Sequence, residues 1–288
     1  MTRRWLVTGC SSGLGRALAD AAAEAGDLVI ATARRPATLN DLVDRYPDRL
    51  STVALDVCDA DQCEAAVAHA VDRFGGVDVL VNNAGSGLFG AVEEVSDDEL
   101  REQLEVLTVA PWRLTRLTLP LMRRQGYGHI VNVSSIAGRI GLPGLSAYVA
   151  GKYALEGMSQ ALAAEVAPFG IRVHAVEPGG FATRYGTSLT EAAHRIPAYA
   201  QSTGDVEAGL RGMSTNPDLT HPEVFAHHVL RLVASPTAPL RVPIGADAYT
   251  FLEAAEAAGT AELAAAQAFI EDSAERPATY TAPVTPTA

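Results

Sequence analysis

Ser134, Ser135, Tyr148 and Lys152 are the residues of this chain whose types and spacing best fit acid–base chemistry. Tyr148 and Lys152 are four apart, so on a helix they share one face, a turn from each other. There the lysine ammonium is expected to lower the phenol's pKa, because a nearby positive charge favours the ionised form. A tyrosine tuned in this way exchanges a proton with a substrate oxygen near neutral pH. Ser135 ends a strand-like run over 128–134, and its hydroxyl can polarise the same oxygen. A tyrosine and a lysine on a solvated helix face share this spacing, so the rest of the chain must decide.

The elements that would position these groups alternate between strand and helix. Residues 5–8 read as a buried strand running into Gly9-Cys10-Ser11-Ser12-Gly13-Leu14-Gly15, and residues 16–25 as a helix stopped at Gly26. A glycine-rich turn between strand and helix offers backbone N–H groups and a positive helix end to a phosphate. A plain tight turn is the other reading. The second strand, 28–32, is followed by Ala33-Arg34-Arg35, where an NAD-preferring site would carry an acid. Two guanidiniums suit a 2′-phosphate and predict NADP(H), against the alternative of two solvated arginines on a loop. A third strand over 51–55 closes at Asp56-Val57, where Asp56 either meets an adenine amino group or caps the next helix.

Residues 60–74 read as a helix and 77–81 as a strand entering Asn82-Asn83-Ala84-Gly85, a turn that also serves simply to end a strand. A single long helix is expected over 96–124, with Ser96 and Glu99 as a capping box and kinks at Pro111 and Pro120. The helix over 146–169 carries Tyr148 and Lys152, and the strand over 171–176 ends at Glu177-Pro178-Gly179-Gly180. Residues 181–220 lose periodicity and read as a substrate loop or lid. A helix over 222–234, a last strand over 241–244 and an Ala/Glu-rich helix over 253–273 complete one domain, 1–276. Residues 277–288 have the composition of a disordered tail.

This alternation predicts an α/β fold, a doubly wound parallel sheet covered by helices on both faces. The glycine turn, the Asn82 turn, Ser135 and Pro178 all follow strands, so they converge on one edge, where ligands of such sheets bind. The net charge of −12 argues against nucleic acid or an anionic membrane as partner. Three cysteines without framework spacing fit a reducing cytosol, and with no apolar leader or membrane-length run a soluble cytoplasmic protein is expected. No metal site is read. Phe89, Leu142, Phe181, Tyr185 and Tyr199 are candidates for an apolar substrate pocket, and core packing is the competing reading for each.

In this order, Thr8-Gly9-x-x-x-Gly13-x-Gly15, Asn82-Asn83-Ala84-Gly85, Ser135, Tyr148-x-x-x-Lys152 and Pro178-Gly179 with Thr183 resemble the short-chain dehydrogenase/reductase family. The likeness is strong over about 4–185 and looser to about 250, nearest to NADP-dependent ketone reductases of the hydroxysteroid and retinol type. It implies a Rossmann-type sheet of about seven strands and hydride transfer between a nicotinamide and an alcohol or ketone. Tyr148 would be general acid/base, Lys152 would bind the nicotinamide ribose, Ser135 would orient substrate, Asn82 would sit beside the cofactor and Thr183 would touch its carboxamide. Assembly as a homodimer or homotetramer through the two long central helices is implied as well. One position departs: where the family has a catalytic asparagine, this chain has Leu107 followed by Thr108, which puts the usual proton relay in doubt. Gly151 is a smaller departure, since serine is common there. The alternative function is a nucleotide-binding protein whose chemistry is lost or diverted.

Overall fold

The computed structural model describes residues 2–213, 216 and 218–271, so the tail expected over 277–288 lies outside the described residues. In the first half the chain runs β1 (Arg4–Val7), α1 (Gly13–Glu24), β2 (Leu28–Ala33), α2 (Asn40–Arg45), β3 (Leu50–Ala54), α3 (Ala60–Phe74) and β4 (Val79–Asn82). A two-residue β5 (Leu88–Phe89) leads to α4 (Asp97–Leu104), α5 (Ala110–Gln125), β6 (Gly128–Val133), α6 (Ser146–Val166) and β7 (Ile171–Pro178). Then come a two-residue β8 (Thr190–Glu191), α7 (Ala200–Gly212), α8 (Pro222–Ala234), β9 (Arg241–Ile244) and α9 (Ala246–Glu271).

Seven strands form one parallel sheet in the order β3-β2-β1-β4-β6-β7-β9, and β5 pairs with β8 apart from it. Its strands are apolar runs rather than alternating ones because helices cover both faces. On one face α1 and α8 pack Leu18, Ala22, Phe225 and Val229 against Val7, Val29 and Val131. On the other, Ala66, Leu114 and Leu162 of α3, α5 and α6 meet Leu6, Leu80 and Ile130. Strand order turns back between β1 and β4, so the crevice of this Rossmann-like sheet opens there.

The single helix expected over 96–124 is interrupted. Ser96 and Glu99 do form the capping box, but residues Glu105–Val109 are a π-turn between α4 and α5. Pro111 has no N–H to return to the carbonyl of Leu107, and the ladder widens instead, the Ala110 N–H reaching back five residues to Glu105. The loose stretch over 181–220 is likewise more regular than expected, since it contains β8 and α7. No helix among the described residues is long and apolar enough to cross a membrane.

Candidate active site

Backbone packing builds one side of the site. The Thr8 hydroxyl accepts hydrogen bonds from the N–H groups of Asn83 and Ala84, both at 2.9 Å. Asn83 in turn donates its side-chain amide to the carbonyls of Thr8 (2.8 Å) and Gly9 (3.2 Å). The turn after β4 is thereby clamped to the turn after β1, and glycine permits the approach. A Cβ on Gly15 would lie 2.3 Å from the Asn83 amide nitrogen, and one on Gly9, where φ is +71°, would lie 2.8 Å from Ala84 Cα. Gly13, at φ +60°, faces the Thr183 side chain. Ser12 is the N-cap of α1 without a side-chain cap, and no acid occupies the first turn, so the leading N–H groups of Gly13, Leu14 and Gly15 meet no side-chain acceptor among the described residues. Donors at a positive helix end fit a phosphate.

Arg34 and Arg35 follow β2, exposed, and their guanidiniums make no hydrogen bond or ion pair among the described residues. Arg16 is occupied, by the Thr38 carbonyl and the Asp41 carboxylate. The ambiguity at Asp56 resolves: Asp59 caps α3 by accepting from the Gln62 N–H at 3.1 Å, while Asp56 accepts from Cys58 at the tip of β3, beside buried Val57. The turn after β7 is held by a residue that sequence reading missed. Asp247, at the start of α9, accepts from the Gly180 N–H at 2.6 Å, and a Cβ on Gly179 would lie 2.3 Å from its carboxylate.

Tyr148 and Lys152 are both buried on α6, and the Lys152 Nζ lies 5.6 Å from the Tyr148 ring centre. That ammonium donates to the Val133 carbonyl at 2.8 Å, at the end of β6. Two residues on, the Ser135 hydroxyl accepts from the Ala137 N–H at 3.1 Å. Burial raises the Tyr148 pKa, while the hydroxyls of Ser135 and Tyr185 beside it act in the opposite direction. The expected lowering by Lys152 is not found, because the ammonium is turned to a backbone carbonyl rather than to the phenol oxygen. Burial pulls Lys152 down to about 8, against the opposing charge of Glu156 one turn later.

Of the pocket candidates, Phe89, Leu142 and Tyr185 join Tyr148, Leu145 and Leu189 in one apolar cluster. Leu142 also lines a surface depression of about 460 Å³ with Gly141, Pro143, Ser146, Val149 and Ala150. Phe181 is a correction: it is 2% exposed and packs edge-on against Phe225 in the core under α8, where an apolar ring is simply better buried. Tyr199 stands apart too, its hydroxyl donating to Glu93 at 2.6 Å. Glu94, legible in the sequence only as half of an acidic pair, is the latch of this segment. Its buried carboxylate accepts from the N–H groups of Ala91 (2.7 Å) and Ile196 (2.6 Å) and from Arg195 (3.1 Å), whose guanidinium covers the Phe89 ring.

The family model of short chain dehydrogenase matches residues 3–194. The chain belongs to that family. It is 40% identical over 252 residues to Oxidoreductase BOA17 of Botryotinia fuckeliana, covering 87% of this chain and 92% of that protein. It is 32% identical over 244 residues to the 3-ketodihydrosphingosine reductase of Bacteroides thetaiotaomicron, covering 83% and 87%. The crystal structure of a short-chain dehydrogenase from Streptomyces avermitilis matches with a TM-score of 0.85 at 42% identity, covering 94% of this chain and 98% of that one. The protein is an NAD(P)-dependent short-chain dehydrogenase/reductase. The nicotinamide cofactor of the family fits the groups present: uncapped N–H donors at α1, the glycine cradle, and two unpaired arginines beyond β2.

The chain's departure from the short-chain dehydrogenase pattern now has a setting. Leu107 lies in the π-turn, 1% exposed, with its side chain between Gly85 and Gly151. A Cβ on Gly151 would sit 3.0 Å from both Cβ and Cδ1 of Leu107, so the leucine and the glycine are two halves of one contact. Thr108, which a regular helix would turn away, reaches α6 because of the π-turn and donates to the Gly151 carbonyl at 3.1 Å. Asn82 is buried and donates to Asn132 on β6 at 2.8 Å.

Proposed function

We propose that the protein is an NADP(H)-dependent oxidoreductase of the cytoplasm that interconverts a ketone and a secondary alcohol on a hydrophobic small molecule. The observation that carries this is the Tyr148 phenol beside the Ser135 hydroxyl, with Lys152 one turn away, on the strand edge that also bears the glycine turn. In reduction Tyr148 gives its proton to the substrate oxygen, and Ser135 donates a hydrogen bond to that oxygen. Lys152, whose ammonium donates to the Val133 carbonyl, is the group for the nicotinamide ribose, and the lowering of the phenol pKa is left to the hydroxyls of Ser135 and Tyr185. A bound nicotinamide supplies the hydride to the carbonyl carbon, or accepts it in the reverse direction.

The missing acid after β2 and the unpaired Arg34 and Arg35 support NADP(H) over NAD(H). Asp56 is the group for the adenine, and Pro178, Gly179 and Thr183 form the nicotinamide side. The name of the Bacteroides relative, a reductase of a 3-keto compound, supports the direction of the chemistry. Trp112, Tyr153 and Phe169, 60%, 46% and 43% exposed on or just beyond α5 and α6, support a homodimer or homotetramer through those helices. A monomer alone on sedimentation would remove that assignment.

Following cofactor absorbance with NADPH and a panel of hydrophobic ketones tests the reading. Tyr148→Phe is expected to cost at least about a hundredfold in turnover, the scale of a lost general acid. Arg34→Glu is expected to weaken NADPH binding roughly tenfold or more, the scale of a charge-assisted contact. Full activity of the phenylalanine variant would sink the mechanism, and equal affinity of the unmodified protein for the two cofactors would sink the NADP preference. Leu107 favours one second reading, a cofactor-binding protein with diverted chemistry. NADPH binding without consumption across the panel would establish it.

A further inference from the structure

The Tyr185 hydroxyl is buried and, apart from the Tyr148 phenol beside it, has no partner among the described residues. The residue as a whole is half-buried, its ring packs against the apolar cluster of Phe89, Leu145 and Leu189, and the hydroxyl end lies against Gly87. A Cβ built on Gly87 would lie 2.3 Å from the phenol oxygen. Its ring centre is 5.8 Å from that of Tyr148, with the planes tilted by 57°. Burial, reinforced by Tyr148, holds the Tyr185 pKa well above the usual tyrosine range, so the group is a standing O–H donor.

Nor is the placement accidental rotation of a loose loop. The Tyr185 N–H donates to the Thr183 hydroxyl at 3.3 Å, and its carbonyl accepts from the Ser188 N–H at 3.1 Å. The segment is then stitched down where Thr190 and Ala192 donate to the carbonyls of Gly87 (2.9 Å) and Phe89 (2.8 Å). A fixed, buried donor with only another phenol beside it is costly to keep, and replacing it by an apolar group would be free of that cost.

We propose that Tyr185 is a second recognition group for the substrate, selecting ketones that carry another oxygen acceptor on the first or second carbon from the carbonyl. The inference rests on the ketone–alcohol reading above. Tyr148 and Ser135 take the carbonyl oxygen, and Phe89, Leu142, Leu145 and Leu189 around them are apolar. Tyr185 is then the donor left for a second substrate oxygen. With the rings this close and the two hydroxyls acting on each other, oxygens on adjacent or alternate carbons suit both donors at once. The apolar remainder of such a substrate lies toward Leu142 and Val149. A buried donor also disfavours a ligand that leaves it unpaired, which gives discrimination in both directions.

The test compares 2-decanone with ethyl 3-oxodecanoate, in the wild type and in Tyr185→Phe, by kcat/KM with NADPH. The wild type should favour the oxo-ester roughly tenfold or more, and Tyr185→Phe should bring the ratio to about one. An unchanged ratio overturns the proposal. So does a gain on both ketones, which would mean that the hydroxyl merely occupies the substrate's seat. Binding gives an independent readout: the Tyr185 ring-carbon NMR signal should shift with ethyl 3-hydroxydecanoate and not with 2-decanol. If it shifts while NADPH is never consumed, the redox reading fails and the recognition role stands. If neither ligand moves it, the recognition role fails whatever the turnover. A lowered melting temperature for ligand-free Tyr185→Phe would also overturn the proposal, since it would show that the hydroxyl serves the fold.

Discussion

Leu107 and Gly151 should behave as one unit, and a double-mutant cycle measures that. Gly151 lies inside α6, where an alanine in its place would ordinarily gain roughly 1 kcal/mol in helix propensity. Here the added Cβ meets Leu107 Cβ and Cδ1, both at 3.0 Å, and the Leu107 Cβ cannot withdraw without moving the π-turn. Overpacking of this kind costs about 1–3 kcal/mol, so Gly151→Ala should be neutral to destabilising by about 2 kcal/mol. Leu107→Ala alone should cost about 2–5 kcal/mol, as truncation of a fully buried leucine does. In the double variant the Cδ1 half of the clash is gone while the Cβ half remains, so the two effects should fall short of their sum by about half of the overpacking cost, roughly 0.5–1.5 kcal/mol. Urea unfolding of the four proteins without cofactor gives the coupling directly. A coupling below about 0.5 kcal/mol, the level seen for independent sites, would refute the reasoning.

The other two predictions concern the same neighbourhood. Thr108→Val removes the bond to the Gly151 carbonyl and should slow turnover by a factor smaller than Tyr148→Phe does; an unaltered rate would show that this bond does not position α6 for catalysis. Glu177 is buried near Glu156, and burial followed by that charge raises it from 4.5 to about 7, against Arg139 and Arg241. Because the folded state holds this proton more tightly than the unfolded chain, its contribution is fully present below about pH 4.5 and is lost as pH rises through about 7. The loss is at most about 3 kcal/mol. Glu177→Gln should flatten that fall in urea midpoints between pH 5 and 8, and parallel curves for the two proteins would count against it.

The sheet was legible because its strands are short apolar runs ended by glycine, asparagine or proline, and because each such ending fell on the same edge. The glycine turn, Ser135, Tyr148 and Lys152 followed from that. The π-turn was not legible: proline spacing announces a disturbance but not whether the ladder bends or widens. The sign of the Tyr148 shift was missed for a related reason, since helical spacing fixes which face Lys152 occupies but not which oxygen its ammonium chooses. Val133 was available and nearer to the lysine's reach.

The two halves of the site differ in what holds them, and this explains which half could be read. The phosphate half is backbone against backbone: Thr8, Asn83 and three glycines whose missing side chains are the requirement itself. Residue identity there is dictated by contact, so identity reveals function. The proposed substrate half is a long segment held to β5, outside the seven-stranded sheet, by a two-residue ladder, and by carboxylates reaching across: Glu94 to Ile196 and Arg195, Glu99 to the Ala193 N–H, Glu93 to Tyr199. In sequence Glu93 and Glu94 look like solvated surface charges and Glu99 only like half of a capping box. Their contacts across are specified only by a segment about a hundred residues later. On the proposed reading, substrate choice thus depends on the part of the chain with the weakest local signal, with Tyr185 fixed within it by its own turn.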